Sequence, residues 1–516
     1  MRATSIGHAG ILIETDQGSI LCDPWFVPAF FGSWFVFPRN DQLDPDLRAR
    51  VERPDYLYIS HLHADHLDDA FLAEHVDRSA TVLLPQFATD ELERALRAHG
   101  FERFAHTEDG QSLDLRGLEV AIHVETAVAD GPQGDSALVV SDGRTRLLNQ
   151  NDCRPHDMGL LLGHGPIDIQ WLQYSGAIWY PMVYDVPEDR KRQMALAKVE
   201  AQFARTLQYV RAIGARVVVP SAGPPCFLDP ELFSVNVITG DEISIFPDQT
   251  ELLARLDRAG IHTGRTTIPG TQFTVGPESI DVVQPLPPEE IERIFTHKGD
   301  YLHAYARDWA PWLQRHKASW HPARAGLIER IREWWAPLLT SAPLLRAAIG
   351  ANALLNAGDE AILIDFPNGE VRPHHDEPFA FRFDIPRALV ETVVDRGAVD
   401  WSNALFLSCR FRAWRDGDYN EHLYNFFKSL SPERMARAEA EVVARRAASG
   451  DAIEEIELGG YVMQRWCPHR RADLSQFGEV AHGVLTCHLH GWQFDLATGH
   501  CLNAEDEHLR VRPAAR

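Results

Sequence analysis

Near its C-terminal end the chain reads CPHRRADLSQFGEVAHGVLTCHLHGWQFDLATG, with Cys467 and His469 as a C-x-H pair and Cys487 and His490 as a C-x2-H pair. These paired donors constrain the fold more than any apolar stretch, because each pair must sit at a loop tip so that both can face one group. Seventeen residues lie between the pairs. Two thiolates suit one iron and two imidazoles suit a second iron beside it. Gly491 allows a close turn after the second pair, and Trp492 and Phe494 alternate with polar residues as on a strand leaving a loop. A Cys2His2 zinc site is the competing reading. A C-x-H first pair and a G-W-Q-F-D-L continuation do not suit a zinc finger.

The motif resembles the Rieske domains of ring-hydroxylating oxygenases and their ferredoxins. The resemblance implies a [2Fe–2S] cluster held by Cys467, His469, Cys487 and His490 in a small all-β domain over residues 451–516. The extra Cys pair of respiratory-chain Rieske proteins is missing, which implies low-potential electron delivery. Seven cysteines in 516 residues make no disulfide framework. Cys22, Cys153, Cys226, Cys409 and Cys501 read as plain thiols, and a reducing cytoplasm is expected.

A second motif, SHLHADHLDD, follows the strand-like segment PDYLYIS and places His61, His63, Asp65 and His66 as H-x-H-x-D-H. Imidazoles two apart on a loop can share one ion, and Asp65 with His66 can serve a second beside it. A solvated His-rich loop is the bland alternative, but chance seldom produces this spacing behind a strand. The motif resembles the metallo-β-lactamase fold, an αββα sandwich, which the resemblance implies for residues 1–275. The DPW at Asp23–Trp25 and the aromatic stretch after it resemble the ascorbate-lactonase-like branch.

Members of that superfamily add a lone His, a bridging Asp at a strand end and a last His. Asp152, after TRLLNQN, fits the Asp. Where the lone His belongs the chain offers only His123, Glu125 and Asp130 as weak substitutes, and His123 reads as an inward-facing structural residue. Ser221 stands where the last His is usual, and His156 and His164 lie near Asp152 as surface or hydrogen-bonding residues. Five donors remain: His61, His63, Asp65, His66 and Asp152. That set points to one ion with open positions, a mononuclear Fe(II) with Zn2+ as the alternative, and to no second site completed by Ser221. Trp25, Phe26, Phe30, Phe31 and Trp34 either wall a pocket or fill the core.

The length of 516 residues suggests about three domains at ~150 residues each. Strands dominate the first third. Segment 186–213 is helix-like, segments rich in Trp over 276–350 are helical, and 357–430 is mixed. This gives an α/β chain with a helical and mixed α/β middle region, 276–450. The amphipathic helix SPERMARAEAEVVARRAA, ending at Ser449-Gly450, serves as connector. Fifty basic residues against 74 acidic ones, a net charge of −24, argue against nucleic acid or an anionic membrane as partner. No apolar run reaches the ~18 residues of a membrane span, and the N-terminal residues lack the pattern of a signal peptide.

A cluster that passes single electrons needs a site that receives them. The D-x2-H-x4-H iron segment of Rieske oxygenases is not present, so the His61 motif is the best acceptor. A Rieske domain with a metallo-β-lactamase-like domain resembles the CMP-N-acetylneuraminate hydroxylases, in which the Rieske domain comes first rather than last. The resemblance implies a Rieske-type iron monooxygenase acting on a small molecule with O2 and fed by a reductase or ferredoxin; a homo-oligomer is left open. The competing classes are a metal-dependent hydrolase with a regulatory or electron-transfer Rieske domain, and a pure electron-transfer or redox-sensing protein.

Overall fold

The first 22 residues form two hairpins, because apolar and polar residues alternate and tight turns separate them. They open an eight-stranded sheet in a computed structural model that describes residues 1–516 except 129, 130, 132, 177, 239–243, 448–453, 504–506, 515 and 516. Asp130 and the expected connector end at Ser449-Gly450 fall outside the described residues. Two compact units result, the first made of Met1–Thr126, Gln133–Ile178 and Ala195–Arg315.

In the first unit, the eight-stranded sheet runs in the order Ile280–Val283, Gln272–Val275, Arg2–Gly7, Gly10–Thr15, Gly18–Cys22, Tyr56–Tyr58, Thr81–Leu84, Phe104–His106. The six-stranded sheet runs Val217–Ser221, Ile169–Gln173, Arg146–Asn151, Asp135–Ser141, Leu118–Glu125, Ser112–Leu115. Ile11, Ile13 and Ile20 of one sheet and Val120, Ile122 and Leu138 of the other share a fully buried core. Helices Pro45–Val51, Asp69–Glu74 and Glu91–Ala98 cover the outside of the larger sheet through Leu47, Phe71 and Leu96. Leu161 and Ile213, from helices Met158–Leu162 and Glu188–Ile213, cover the smaller one. Two sheets face to face with helices outside are the αββα sandwich that the His61 motif implies.

The sandwich does not stop at residue 275. Ile280–Val283 pairs antiparallel with Gln272–Val275, and the helix Lys298–Ala318 lays Tyr305, Trp309 and Trp312 edge-on against Phe35. The aromatic stretch after Asp23 needs that cover, so the boundary expected at 275 lies inside the first unit.

The second unit comprises Ala127–Pro132, Trp179–Met194 and His316–Arg516. Its five-stranded sheet has the order Glu370–Pro373, Glu360–Asp365, Ala353–Ala357, Phe381–Ile385, Arg412–Arg415. Trp335 of helix Leu327–Ser341 is fully buried there, with Trp401, Phe426 and Phe427 at 4.9, 5.6 and 6.0 Å between ring centroids. Trp335→Ala should cost about 3–5 kcal/mol in the urea unfolding of this unit, since the ring leaves a cavity its aromatic neighbours cannot close. A loss below about 1 kcal/mol would contradict that packing. The chain ends in two three-stranded sheets, one of Glu455–Leu458, Tyr461–Gln464 and Val511–Pro513, the other of Gly478–Ala481, Val484–Cys487 and Trp492–Asp495. They are the β domain expected at the C-terminus, interrupted only by the single helical turn Leu474–Phe477 among the described residues.

Candidate metal centres

The strand Tyr56–Tyr58 delivers the His-rich loop to the edge of the sandwich, and Asp68 fixes the way out. One Asp68 oxygen caps the helix Asp69–Glu74 by accepting from Phe71 N–H at 3.0 Å; the other accepts from Phe26 and Val27 N–H at 2.8 Å each. Between those anchors the imidazoles converge. His61 Nε2 lies 2.7 Å from His63 Nδ1, and the His61 and His66 rings are 4.1 Å apart.

Asp152 joins them from the opposite sheet. The strand Arg146–Asn151 shifts register between Asn149 and Asn151, and this irregularity turns the chain so that Asp152 Oδ1 comes 3.6 Å from His66 Nε2. Asp65 Oδ2 lies 3.9 Å from the same nitrogen. All five donors read from the sequence are thus brought together.

A sixth was missed. His8 occupies the turn between strands Arg2–Gly7 and Gly10–Thr15 with φ of 52°, and its Nε2 is 3.1 Å from Asp65 Oδ2. A non-glycine residue in left-handed backbone is a strain that folds keep at functional places. Its carbonyl accepts from Ser221 Oγ and Ala222 N–H, both at 3.1 Å, so Ser221 supports the turn that supplies an imidazole. The signal was legible in GHAG, where a hairpin turn carries His in place of the usual Asn-Gly pair.

Carboxylates behind the imidazoles set their orientation. Asp23 Oδ2 lies 3.0 Å from His66 Nδ1 and accepts from Ser60 Oγ at 2.7 Å, while Asp135 Oδ1 lies 3.2 Å from His61 Nδ1. Each leaves the Nε2 of its histidine for the centre. His63 Nε2, His66 Nε2 and Asp152 Oδ1 are buried without a hydrogen-bond partner. His8, Asp65 and His66 form one group able to hold an ion; His61, His66 and Asp152 form another. Burial and the His61 imidazole push His63 down, while Asp152, Asp65 and Asp23 push His66 up against its burial. A cation among them would relieve both, and an all-nitrogen and oxygen donor set suits iron or zinc.

The remaining histidines are elsewhere. Val120 and Ile122 face the inter-sheet core and Ala121 the helix-covered layer, so strand alternation puts His123, which is buried, on the helix-covered face rather than between the sheets. There its Nε2 is 2.8 Å from His164 Nε2. His156 is held by Glu125 at 2.9 Å. Of the aromatic stretch, Trp25 packs edge-on against His8 at 4.8 Å, whereas Phe26, partly buried, lies tilted against Phe71 at 4.4 Å.

In the second unit, Cys467 and His469 occupy the loop after Tyr461–Gln464, Cys487 ends the strand Val484–Cys487, and His490 lies in the turn before Trp492–Asp495. Gly491 has φ of 78°, the conformation that turn requires. The Cys467 thiol is pushed up by its hydrogen bond with Cys487 and by burial, so the two sulfurs face one another. The His469 ring stacks on Trp492 at 4.0 Å and meets His490 edge-on at 4.9 Å. His469 Nδ1 is buried without a partner. Two facing thiols and two adjacent imidazoles fit a [2Fe–2S] cluster.

Sequence reasoning also missed Glu421, which begins the helix Glu421–Lys428. It sits 3.0 Å from His469 Nε2 and accepts from Arg470 at 3.0 Å and Arg445 at 2.6 Å. Burial would raise its carboxyl, but Arg470, His469 and Arg445 hold it well below the usual carboxylate range.

Residues 434–512 match the Rieske [2Fe-2S] domain family and residues 327–444 the Rv3818-like, SCP2-like domain family. The chain is 47% identical to the Rieske 2Fe-2S iron-sulfur protein Rv3818 of Mycobacterium tuberculosis, over 99% of each chain. It is 22% identical to the cytidine monophosphate-N-acetylneuraminic acid hydroxylase of Xenopus laevis, over 84% of this chain and 72% of that one. A solved metallo hydrolase of Ignicoccus hospitalis, Igni18, is 17% identical with a TM-score of 0.36 and covers 55% of this chain and 98% of its own. Among the described residues no helix is long and apolar enough to cross a membrane.

Proposed function

The chain belongs to the Rv3818-like family of Rieske [2Fe–2S] iron–sulfur proteins, and from that premise we propose that it is a Rieske-linked oxygenase whose O2-activating centre is the sandwich-edge site at His61. The observation that carries this is the pairing, in one chain, of a Cys2His2 cluster site with a six-donor nest of histidines and carboxylates. The hydroxylase relative supports the same class.

Cys467, His469, Cys487 and His490 would hold the cluster. His61 and His63, with Asp152, would hold one iron, and His8, Asp65 and His66 a second. The single-ion expectation rested on five donors; with His8 the tally reaches the roughly six that two divalent ions need. When bound, the cluster supplies single electrons and the irons supply O2 activation. The overall reaction places one oxygen atom on a carbon or nitrogen of a small molecule and reduces the other to water, with two electrons from a reductase or ferredoxin and two protons. Asp23 and Asp135 hold the His66 and His61 rings so that their Nε2 atoms face inward. His63 and Asp152 are half-buried, so the site opens on their side, where substrate would enter. Trp25, fully buried, excludes water behind His8.

The six-donor tally also favours a second reading, a two-metal hydrolase in which metal-bound water attacks an ester or lactone. Metal analysis of protein purified without oxygen separates them. The oxygenase expects about four irons per chain, two of them in the cluster. Two irons with two zincs would overturn it in favour of the hydrolase, and three irons would restore the single-ion site.

A further inference from the structure

The Glu421 carboxylate reaches the cluster loop from outside the C-terminal β domain, and its two oxygens are divided. Oε2 lies 3.0 Å from His469 Nε2 and accepts from Arg470 Nη2 at 3.0 Å, while Oε1 accepts from Arg445 Nη2 at 2.6 Å. A carboxylate held between two guanidinium groups stays ionised and only accepts, so His469 Nε2 must carry a proton. That tautomer leaves a lone pair on Nδ1, the atom that is buried without a hydrogen-bond partner and that would face iron. Trp492, stacked on the ring at 4.0 Å, keeps the imidazole from tipping. His469 is 4% exposed and Glu421 8%, so solvent screens their interaction poorly.

The charges behind His469 are balanced. Arg445 also donates to Glu441 at 2.7 Å, so two carboxylates, Glu421 and Glu441, face two guanidinium groups, Arg445 and Arg470. Removing any one of the four leaves the ligand beside a net charge that the parent does not have. A hydrogen-bonded carboxylate makes an imidazole a stronger donor. Stronger donation and a nearby negative charge both favour the oxidised cluster, because reduction adds an electron. A nearby positive charge does the opposite. The arrangement therefore gives Glu421 and Arg445 opposing effects on one ligand.

We propose that Glu421 is a positioning residue that sets the reduction potential of the cluster: it fixes the His469 tautomer and holds the potential low, while Arg445 limits how low. This rests on the assignment of Cys467, His469, Cys487 and His490 to a [2Fe–2S] cluster, and on nothing at the sandwich edge.

The test is an anaerobic redox titration of the holoprotein with dithionite and mediator dyes, read by the visible absorption of the cluster. Glu421→Gln keeps the shape and an oxygen that can accept from His469 but removes the charge. It should retain the absorption and the low-average-g signal, yet be easier to reduce against a fixed mediator by about tenfold or more, which for one electron is about 59 mV upward. Arg445→Gln leaves Glu421 with one cation fewer and should move the midpoint downward. Loosened packing alone would not produce opposite signs. A Glu421→Gln midpoint equal to the parent's, or shifts of the same sign in both variants, would overturn the proposal. Should Glu421→Gln take up no cluster, Arg445→Gln decides: a lowered midpoint supports the proposal and an unmoved one overturns it. A parent without the visible bands would sink the cluster assignment itself, whereas a red-brown parent and variants with one common midpoint would sink only the role of Glu421.

Discussion

His66→Ala is expected to strip the sandwich-edge site of the iron that His66 would hold with His8 and Asp65, while leaving the cluster's absorption and electron paramagnetic resonance signals unchanged. His66 takes part in both three-residue groups able to hold an ion, and its imidazole is fully buried, so water cannot easily replace it. The cluster donors lie in the other unit, which is why their spectrum should not move. Oxygen-dependent turnover should disappear with the iron. A graded companion is Asp23→Asn. The amide still fills the space, but it loses the carboxylate that fixes the His66 tautomer, so metal affinity should fall about 10–100-fold. Full iron content and turnover in His66→Ala would show that the motif has no metal role.

Cys487→Ser should yield colourless protein without the low-average-g signal of a histidine-ligated [2Fe–2S] centre. A serine oxygen cannot supply the thiolate-to-iron charge transfer that colours such clusters, and Cys487 is fully buried with Cys467 beside it. Because metal binding is folding free energy for a small domain, the loops around His469 and His490 should become susceptible to protease. The sandwich-edge iron should stay. A red-brown Cys487→Ser protein with two cluster irons, or a colourless parent containing zinc, would refute the assignment.

Both donor motifs were legible because metal sites gather ligands on short loops, where spacing survives as text. His61, His63, Asp65 and His66 come from one loop after one strand, and Asp152 from a strand end. The missed residues reach the sites through tertiary structure. His8 is one residue in a turn, aligned with Asp65 only once the Arg2–Gly7 hairpin docks beside Ser221. Asp23 and Asp135 meet the Nδ1 atoms of His66 and His61, which face away from the donor cluster, so they obey no ligand spacing. The face that His123 takes was hidden for a simpler reason: it lies on a strand buried on both faces, where hydrophobicity does not tell one side from the other. The boundary at 275 failed because Ile280–Val283 is a short edge strand with a weak period.

Glu421 makes the cluster domain poorly portable. A piece cut at the strand Glu455–Leu458 would keep all four iron donors and leave behind the carboxylate that grips His469, along with Arg445, which grips that carboxylate in turn. An engineer grafting this electron carrier onto another enzyme would therefore have to transplant the helix Glu421–Lys428 as well.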